Sequence, residues 1–203
     1  MSKLDTVRAF VAVNLSIEAT QAVAEVQKRF RAEVSSLPMK ISWVPAANLH
    51  VTIKFLGSID RELGDGVLSA LKPAVSELDS FTVKVGRVGA FPSADRPRIL
   101  WVGLEDPNKK LTELYAVVEN ALGELGFKKE NRLFHPHVTI GRVRHGKEDI
   151  ASILEGLTGE TKEESRIAGL TLYESRLHRT GAEYRAMGRV FMRDKVTDEN
   201  GSR

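Results

Sequence analysis

The pattern His-x-Thr occurs twice in this chain, at residues 50–52 and at residues 137–139. Each copy lies in an apolar, strand-like stretch, NLHVTIKFLG in the first case and FHPHVTIGRV in the second. Because side chains alternate along a strand, each histidine shares a face with the threonine two positions later. Two such pairs facing one another would supply a general base, a general acid and hydroxyl donors for phosphoryl oxygens. These groups suffice for in-line attack at a phosphodiester without a metal ion.

Each part of the pattern also has a purely structural explanation. A single strand histidine is usually a surface residue or a satisfied core residue, and threonine favours strands for its shape. A metal site is another alternative, because His135 and His137 have ligand-like spacing on one strand face. Neither predicted strand contains Asp or Glu, however, and Pro136 separates the histidines, so we expect no metal ion here. The coincidence of two copies in matching contexts favours the catalytic interpretation.

The composition is that of a compact protein. The chain has 203 residues, of which 42% are hydrophobic and 28% charged, with a formal net charge of +3. No apolar run of about 18 or more residues is present, so we expect no transmembrane helix. The lack of cysteine and of an apolar signal-peptide core favours a cytoplasmic location. The modest positive charge permits a polyanionic partner without requiring one.

Hydrophobic periodicity predicts a series of strands and helices that positions the two motifs. Strands are predicted at 7–15, 41–44, 49–56, 81–88, 98–104, 136–143, 165–177 and 184–194. Helices are predicted at about 16–34, 61–78, 109–125 and 148–157, with Ser16 capping the first and Gly126 ending the third.

The contexts of the two motifs suggest a weak internal duplication. Both His-x-Thr strands follow a helix and end on glycine-containing sequence, so we expect each half of the chain to form an α+β lobe. The two lobes are predicted to share one domain over residues 1–195, with a cleft between them, and residues 196–203 to form a flexible tail.

Strand alternation assigns further residues to faces. In the first strand, Lys54 is predicted to share the cleft face with His50, while Phe55 lies on the apolar face. In the second strand, Gly141 shares the face of His137, where its missing side chain would let a ligand approach closely.

The whole pattern resembles the two-histidine phosphoesterase superfamily, and within it the RNA 2′,3′-cyclic phosphodiesterases, also called 2′-5′ RNA ligases. The resemblance covers most of the chain, including the opening RAFVAVNL, the lead-in WVPAANLH and the closing LYESRLHRTGAEYRAM. It implies an α+β, bilobal fold in which two pseudo-symmetric antiparallel-sheet lobes with outer helices surround a central cleft. It also implies metal-independent opening of a 2′,3′-cyclic phosphate to a 2′-phosphate, without a cofactor.

Carried over to matching positions, the resemblance makes His50 and His137 the catalytic pair and has Thr52 and Thr139 hold the phosphate. The sequence does not decide which histidine is the base; the resemblance favours His137 for activating water and His50 for protonating the departing 3′-oxygen. Arg142 matches an arginine that follows the second motif. Simple alternation puts Arg142 on the apolar face, so a phosphate-binding role requires a twist or bulge just before it, the alternative being a surface salt bridge.

Other positions concern the RNA. His135 stands where relatives often carry arginine, which leaves one permanent positive charge fewer near the phosphate. Four aromatic residues are candidates for stacking on RNA bases, each with a core role as the alternative: Phe10, Trp43, Tyr173 and Tyr184. A basic stretch between the last two strands either guides phosphates or is a solvated hairpin: Arg176, His178, Arg179 and Arg185.

The function these residues favour is hydrolysis of RNA 2′,3′-cyclic phosphate ends, such as those of tRNA halves, by a monomeric enzyme. The same groups run in reverse would join such an end to a 5′-hydroxyl in a 2′-5′ linkage. Two alternatives stay open: a phosphodiesterase acting on a small cyclic nucleotide or a 2′-5′ oligonucleotide, and a non-catalytic module that binds RNA phosphate.

Overall fold

The computed structural model describes residues 5–157, 163–178 and 181–194. Its strands are, in chain order, β1 (Thr6–Val13), β2 (Lys40–Trp43), β3 (Val51–Asp60), β4 (Phe81–Phe91), β5 (Ile99–Glu105), β6 (His137–His145), β7 (Glu164–Ile167), β8 (Gly169–His178) and β9 (Gly181–Phe191). Its α-helices are α1 (Ile17–Glu33), α2 (Leu63–Ser76), α3 (Lys110–Glu124) and α4 (Ala151–Leu157). The tail predicted at 196–203 lies outside the described residues.

The strands pair into a single antiparallel sheet in the order β7-β4-β5-β6-β3-β1-β8-β9, with β2 pairing on β6 beside this path. Strands β3 and β6 are joined at only one residue pair, Val51 with Val138. This narrow seam divides the sheet into a first lobe of β3, β1, β8 and β9 and a second lobe of β6, β5, β4 and β7, which also includes β2 through its pairing with β6. The predicted bilobal α+β architecture is therefore confirmed.

The helices do not follow the halves of the chain. Helices α2 and α3 pack on the first lobe, whereas α1 and α4 pack on the second. Since α1 follows β1 and α3 follows β5, each of these helices leaves one lobe and covers the other. The expectation that each half of the chain builds its own lobe is wrong, because long-range packing of α1 and α3 interleaves the halves.

One predicted strand is in fact two. The stretch 165–177 is interrupted at Ala168, so that β7 pairs with β4 in the second lobe while β8 pairs with β1 in the first. A Cβ on Gly169 would overlap the backbone carbonyl of Val190, and this close crossing occurs where the chain changes lobe. Apolar residues continue on both sides of the break, so periodicity alone does not reveal it.

Two helix ends form as the local sequence predicts. The Ser16 hydroxyl accepts a 3.1 Å hydrogen bond from the backbone N–H of Ala19 and so caps α1. After α3, Gly126 has a φ of +88°, and its N–H donates to the carbonyl of Gly123 at 3.0 Å. The next N–H, of Phe127, donates to Leu122 at 3.1 Å, which completes a Schellman motif.

The buried apolar side chains of both lobes form one connected core. Phe30 of α1 and Leu71 of α2 are among its largest fully buried members, one beneath each lobe. The core therefore lies on the helix side of the sheet and leaves the opposite face free for a site.

None of the helices in the described ranges is long and apolar enough to cross a membrane.

Candidate active site

The two His-x-Thr motifs lie side by side at the seam between the lobes. Because Val51 pairs with Val138 and the strands are antiparallel, His50 comes next to Thr139 and Thr52 comes next to His137. Val51 and Val138 are fully buried on the helix side, so the four polar side chains project from the opposite face. This face is the cleft face.

Both imidazoles are oriented by a hydrogen bond to the backbone carbonyl of the residue two positions earlier. The Nδ1 of His50 lies 2.7 Å from the carbonyl oxygen of Asn48, and the Nδ1 of His137 lies 2.6 Å from that of His135. A carbonyl only accepts, so each ring carries a proton on Nδ1 and leaves Nε2 for the cleft. Nε2 of His50 accepts a 3.0 Å hydrogen bond from the Thr52 hydroxyl. The tautomer that a neutral general base needs is thereby selected in both rings.

A bulge follows the motif in β3. The register against β1 pairs Ala12 with Thr52 but Val11 with Lys54, so Ile53 is an extra residue. The bulge reverses the alternation of side chains beyond it. Lys54, predicted on the cleft face, is instead buried on the helix side, and Phe55, predicted on the apolar face, is 71% exposed on the cleft face. Both predictions fail for this one reason.

The same bulge occurs in β6. The register against β5 pairs Trp101 with Thr139 but Leu100 with Gly141, so Ile140 is the extra residue. The bulge turns Arg142 to the cleft face, as a phosphate-binding role requires, and its positive charge lies close enough to act on both His50 and His137. HVTIKF and HVTIGR are thus structural repeats in which Phe55 and Arg142 hold equivalent positions.

Gly141 has a different use from the one its position in the sequence suggests. A Cβ at Gly141 would lie 3.2 Å from the Trp43 ring and 3.1 Å from Ile41, which are its neighbours on β2. The space is therefore filled by Trp43 on the helix side, where its ring meets Phe30 edge-on at 6.1 Å. This placement removes Trp43 from the candidate RNA contacts and leaves no room for a ligand at Gly141.

The other aromatic candidates gather around His50. Phe10 stacks on the His50 ring at 4.9 Å and on Tyr173 at 5.3 Å, and Tyr184 meets Phe10 edge-on at 4.9 Å. Phe10 is only 3% exposed, so it supports the His50 ring and has no face free for an RNA base. Tyr173 and Tyr184 are half-buried on the cleft face and keep accessible surface.

Alternation in β5 places aromatic surface near His137, at positions outside the two His-x-Thr motifs. Trp101 shares the cleft face with Thr139, its partner across the strands, and lies 6.3 Å from the His137 ring. Phe91 meets His137 edge-on at 5.2 Å. The signal in the sequence was the run ILWVGLE, where Trp101 and Gly103 alternate with buried leucine and valine.

The electrostatics of the site disfavour protonated imidazoles. Burial lowers the pKa of His50, the carbonyl of Asn48 raises it, and the charges of Arg142 and His137 lower it further. Burial likewise lowers the pKa of His137, opposed by its bond to the His135 carbonyl and assisted by the charges of His135 and Arg142. An anion bound among these groups would offset the cost of protonating either ring.

Two further sequence predictions concern charged groups. Within residues 5–157, 163–178 and 181–194, no group of three or more His, Cys, Asp or Glu is arranged to hold a metal ion.

In the basic stretch, Arg176 donates to Glu174 at 2.8 Å, and His178 lies 3.0 Å from Glu183. Arg179 lies outside the described residues. The partners of Arg176 and His178 favour the solvated-hairpin interpretation for this stretch.

The sequence matches known proteins over most of its length. A family model described as the 2′-5′ RNA ligase superfamily matches residues 40–179. The RNA 2′,3′-cyclic phosphodiesterase of Methanocaldococcus jannaschii is 31% identical over 180 residues, covering 87% of this chain and 96% of that protein. The protein of the same name from Archaeoglobus fulgidus is 31% identical over 186 residues, covering 91% and 99%.

The fold matches solved structures as well. The protein TT0787 of Thermus thermophilus superposes with a TM-score of 0.75 at 22% identity, covering 93% of this chain and 99% of that one. Escherichia coli LigT in its apo form superposes with a TM-score of 0.67 at 25% identity, covering 93% and 98%. LigT has also been crystallised with phosphate and with 3′-AMP.

Proposed function

Because this chain belongs to the 2′-5′ RNA ligase superfamily, we propose that it opens 2′,3′-cyclic phosphate ends of RNA to 2′-phosphomonoesters. The observation that carries the proposal is the pairing of Val51 with Val138, which sets two histidines and two threonines on one face. The curated relatives named RNA 2′,3′-cyclic phosphodiesterase, at about 30% identity over most of this chain, support the same activity.

The proposed hydrolysis proceeds by in-line displacement at phosphorus. Nε2 of His137 takes a proton from water, the water oxygen attacks phosphorus, and the bond from phosphorus to the 3′-oxygen breaks. Protonated Nε2 of His50 gives its proton to the departing 3′-oxygen, which leaves a 2′-phosphate and a 3′-hydroxyl. Since the Nδ1 atoms are held by backbone carbonyls, the two Nε2 atoms are the ones that face the cleft and exchange protons.

Phosphate binding is assigned to the groups beside the histidines. The hydroxyls of Thr52 and Thr139 donate to non-bridging oxygens, and Arg142 supplies the permanent positive charge that the bulge in β6 turns into the cleft. Escherichia coli LigT, which shares this fold, has been crystallised with phosphate and with 3′-AMP, and an anion among these groups is part of the proposal for this chain. Tyr173 and Tyr184, beside His50, are the proposed stacking surface for the base that bears the cyclic phosphate.

The experiment that tests the function measures turnover of adenosine 2′,3′-cyclic phosphate in EDTA. We expect activity to survive chelation and to fall by about 10²–10⁴-fold in His50→Ala and in His137→Ala, the scale of lost acid–base catalysis. His145→Ala, which alters an exposed histidine at the end of the same strand β6, serves as the matched control.

Three outcomes would count against the proposal. Loss of activity in EDTA with rescue by zinc or manganese would overturn the metal-independent mechanism. Phosphate binding without turnover would favour the RNA-binding alternative, and turnover of mononucleotides with no activity on RNA ends would favour a small substrate. The monomeric state and the cytoplasmic location stay predictions, to be checked by light scattering and by cell fractionation.

A further inference from the structure

A cavity of about 420 Å³ adjoins the active site on the His137 side. It lies over β4 and β5 of the second lobe and is lined on its inner end by His135, Pro136 and His137. Neither His50 nor Thr52 borders it. Its size falls in the range of about 300–1,000 Å³ found for small-molecule sites. We call it the distal pocket.

Flat aromatic walls define the distal pocket. The Trp101 ring lies across Gly89 of β4, where a Cβ would overlap the indole, and Phe91 lies 5.1 Å from the Trp101 ring. The indole Nε1 is buried without a hydrogen-bond partner among the described residues, so packing on Gly89 holds the ring in place. Gly86 and Gly103 line the pocket without side chains. Aromatic rings over bare backbone form a surface on which a planar base can stack.

Polar groups at the pocket's edge complement a nucleoside. Arg87 and Glu105 line it and are both exposed. Because Arg87 is exposed where it lines the pocket, its guanidinium is accessible to a phosphate or ribose oxygen. The Glu105 carboxylate is an acceptor able to bind N–H or O–H groups of a base or ribose. Stacking surface, one cation and one acceptor together match a nucleoside better than an inorganic anion.

The position of the distal pocket indicates which of the two reacting nucleosides it binds. In an in-line reaction the entering and departing oxygens lie on opposite sides of phosphorus, and the departing 3′-oxygen belongs to the ribose held beside His50. The entering oxygen therefore lies beside His137, at the mouth of the distal pocket. Both lobes have this arrangement, because aromatic rings flank His50 in the first lobe and His137 in the second.

We propose that the distal pocket binds the nucleoside whose 5′-oxygen takes the place of the attacking water. The enzyme then recognises both partners of a 2′-5′ phosphodiester, and this inference rests on the proposed function with His137 acting at the entering oxygen. In ligation, His137 takes the proton of the 5′-hydroxyl, the 5′-oxygen attacks phosphorus, and the 3′-oxygen departs with a proton from His50. Cleavage of a 2′-5′ linkage is the same sequence reversed, so no other reactant is consumed.

The test compares two substrates in variants that alter only the distal pocket. Gly86→Leu fills it, and Arg87→Ala removes its cation; Lys84→Ala removes an exposed charge of the same strand outside the pocket. For 2′-5′-linked ApA, we expect kcat/KM for cleavage to fall by about 5- to 150-fold in Gly86→Leu, the scale of losing one base–aromatic stack. It should also fall in Arg87→Ala, which loses the cation and keeps the stacking surface. Hydrolysis of adenosine 2′,3′-cyclic phosphate should change by less than about twofold, since water needs no pocket.

An equal loss on both substrates would overturn the proposal, because the pocket would then hold the nucleoside that bears the cyclic phosphate. No loss on either substrate would overturn it too.

A binding measurement separates this inference from the proposed function. In a Trp43→Phe background, Trp101 is the remaining tryptophan, and adenosine should quench its fluorescence saturably. Gly86→Leu should weaken that binding at least tenfold, with Lys84→Ala unchanged. If quenching behaves in this way while adenosine 2′,3′-cyclic phosphate is never hydrolysed, the proposed function fails and the nucleoside pocket stands. If hydrolysis is normal but adenosine does not quench Trp101, the pocket inference fails alone.

Discussion

At the scale of single residues, the threonines of the two motifs have different partners. The Thr52 hydroxyl donates to Nε2 of His50 at 3.0 Å, whereas the Thr139 hydroxyl has no hydrogen bond within the described part of the chain. Thr139 is thus ready for a phosphate oxygen, while Thr52 must rotate from His50 to reach one. The pseudo-symmetric sequence therefore carries two unequal hydroxyls.

Replacing either threonine by valine keeps the branched shape and removes the hydroxyl. We expect kcat/KM for adenosine 2′,3′-cyclic phosphate to fall by about 10–10³-fold in Thr52→Val and in Thr139→Val, because one oxyanion donor is lost in each. Binding of the 2′-phosphate product should weaken as well. Thr82→Val, on an exposed position of β4, is the control and should leave activity unchanged. Wild-type activity in both site variants would remove the threonines from the phosphate site.

The pH dependence follows from the lowered histidine pKa values. Burial and the Arg142 charge hold the pKa of both His50 and His137 below the usual value, so the free enzyme carries a protonated acid only in acidic solution. We expect a bell-shaped kcat/KM profile with its maximum below about pH 6.5, with both limbs belonging to the coupled pair.

Arg142 offers a test of that cause. Removing a nearby positive charge raises the pKa of both histidines, so Arg142→Gln should move the whole profile to higher pH as well as lowering its height. Arg144→Gln, two residues further along β6 and exposed, should move nothing. A profile that rises steadily into alkali would instead indicate attack by hydroxide and no paired acid and base.

At the scale of elements, the bulges after the two motifs are held by different polar groups. In β6, the carbonyl of the extra residue Ile140 accepts a 2.7 Å hydrogen bond from Gln27 of α1. In β3, Lys54 is turned inward and its Nζ donates to Glu119 of α3 at 2.7 Å and to the carbonyl of Lys128 at 2.9 Å. Each bulge is therefore locked by the helix that crossed from the other lobe.

The buried pair of Lys54 and Glu119 predicts a large effect on stability. Their side chains are only 5% and 7% exposed, and Glu119 also accepts from the backbone N–H of Glu130 at 2.9 Å. Lys54→Met should lower the free energy of unfolding by about 3–5 kcal/mol, because Glu119 is left buried and unpaired. The double variant Lys54→Met/Glu119→Leu should recover most of this loss.

Chemical denaturation measures both changes. The exposed pair of Lys110 and Glu113, whose side chains are 49% and 47% exposed, supplies the control, and Glu113→Gln should change stability by less than about 1 kcal/mol. A small effect of Lys54→Met would mean that water reaches the pair and that the bulge is held by backbone pairing alone.

At the scale of the whole molecule, the lobes are interleaved. We propose that residues 1–195 form one cooperative domain, because α1, α3 and the step from β7 to β8 each join the lobes through the shared core. Both tryptophans lie in the second lobe, on β2 and β5, whereas far-ultraviolet circular dichroism reports on all elements. We therefore expect both signals to give one coincident unfolding transition in urea.

Inorganic phosphate should raise the urea concentration at the unfolding midpoint by the same amount in both signals, since an anion at the seam contacts groups of both lobes. His145→Ala should keep this stabilisation, and Arg142→Gln should lose most of it. A tryptophan transition displaced from the circular dichroism transition would show that the lobes unfold separately.

Much of the site followed from local rules. The two motifs, the shared face of each histidine with its threonine, the Ser16 cap and the turn at Gly126 depend on residues within one or two turns or strand repeats. Such features are set by neighbours in the chain, so the sequence alone was enough to find them.

Other features depended on contacts between distant segments. The extra residues Ile53 and Ile140 exist only relative to β1 and β5, and they decide that Lys54 is buried and that Arg142 enters the cleft. The exchange of helices between lobes, and the aromatic wall beside His137, arise in the same way. Twist, register and packing across the sheet fix these positions, and a period of two along one strand carries no information about its partner.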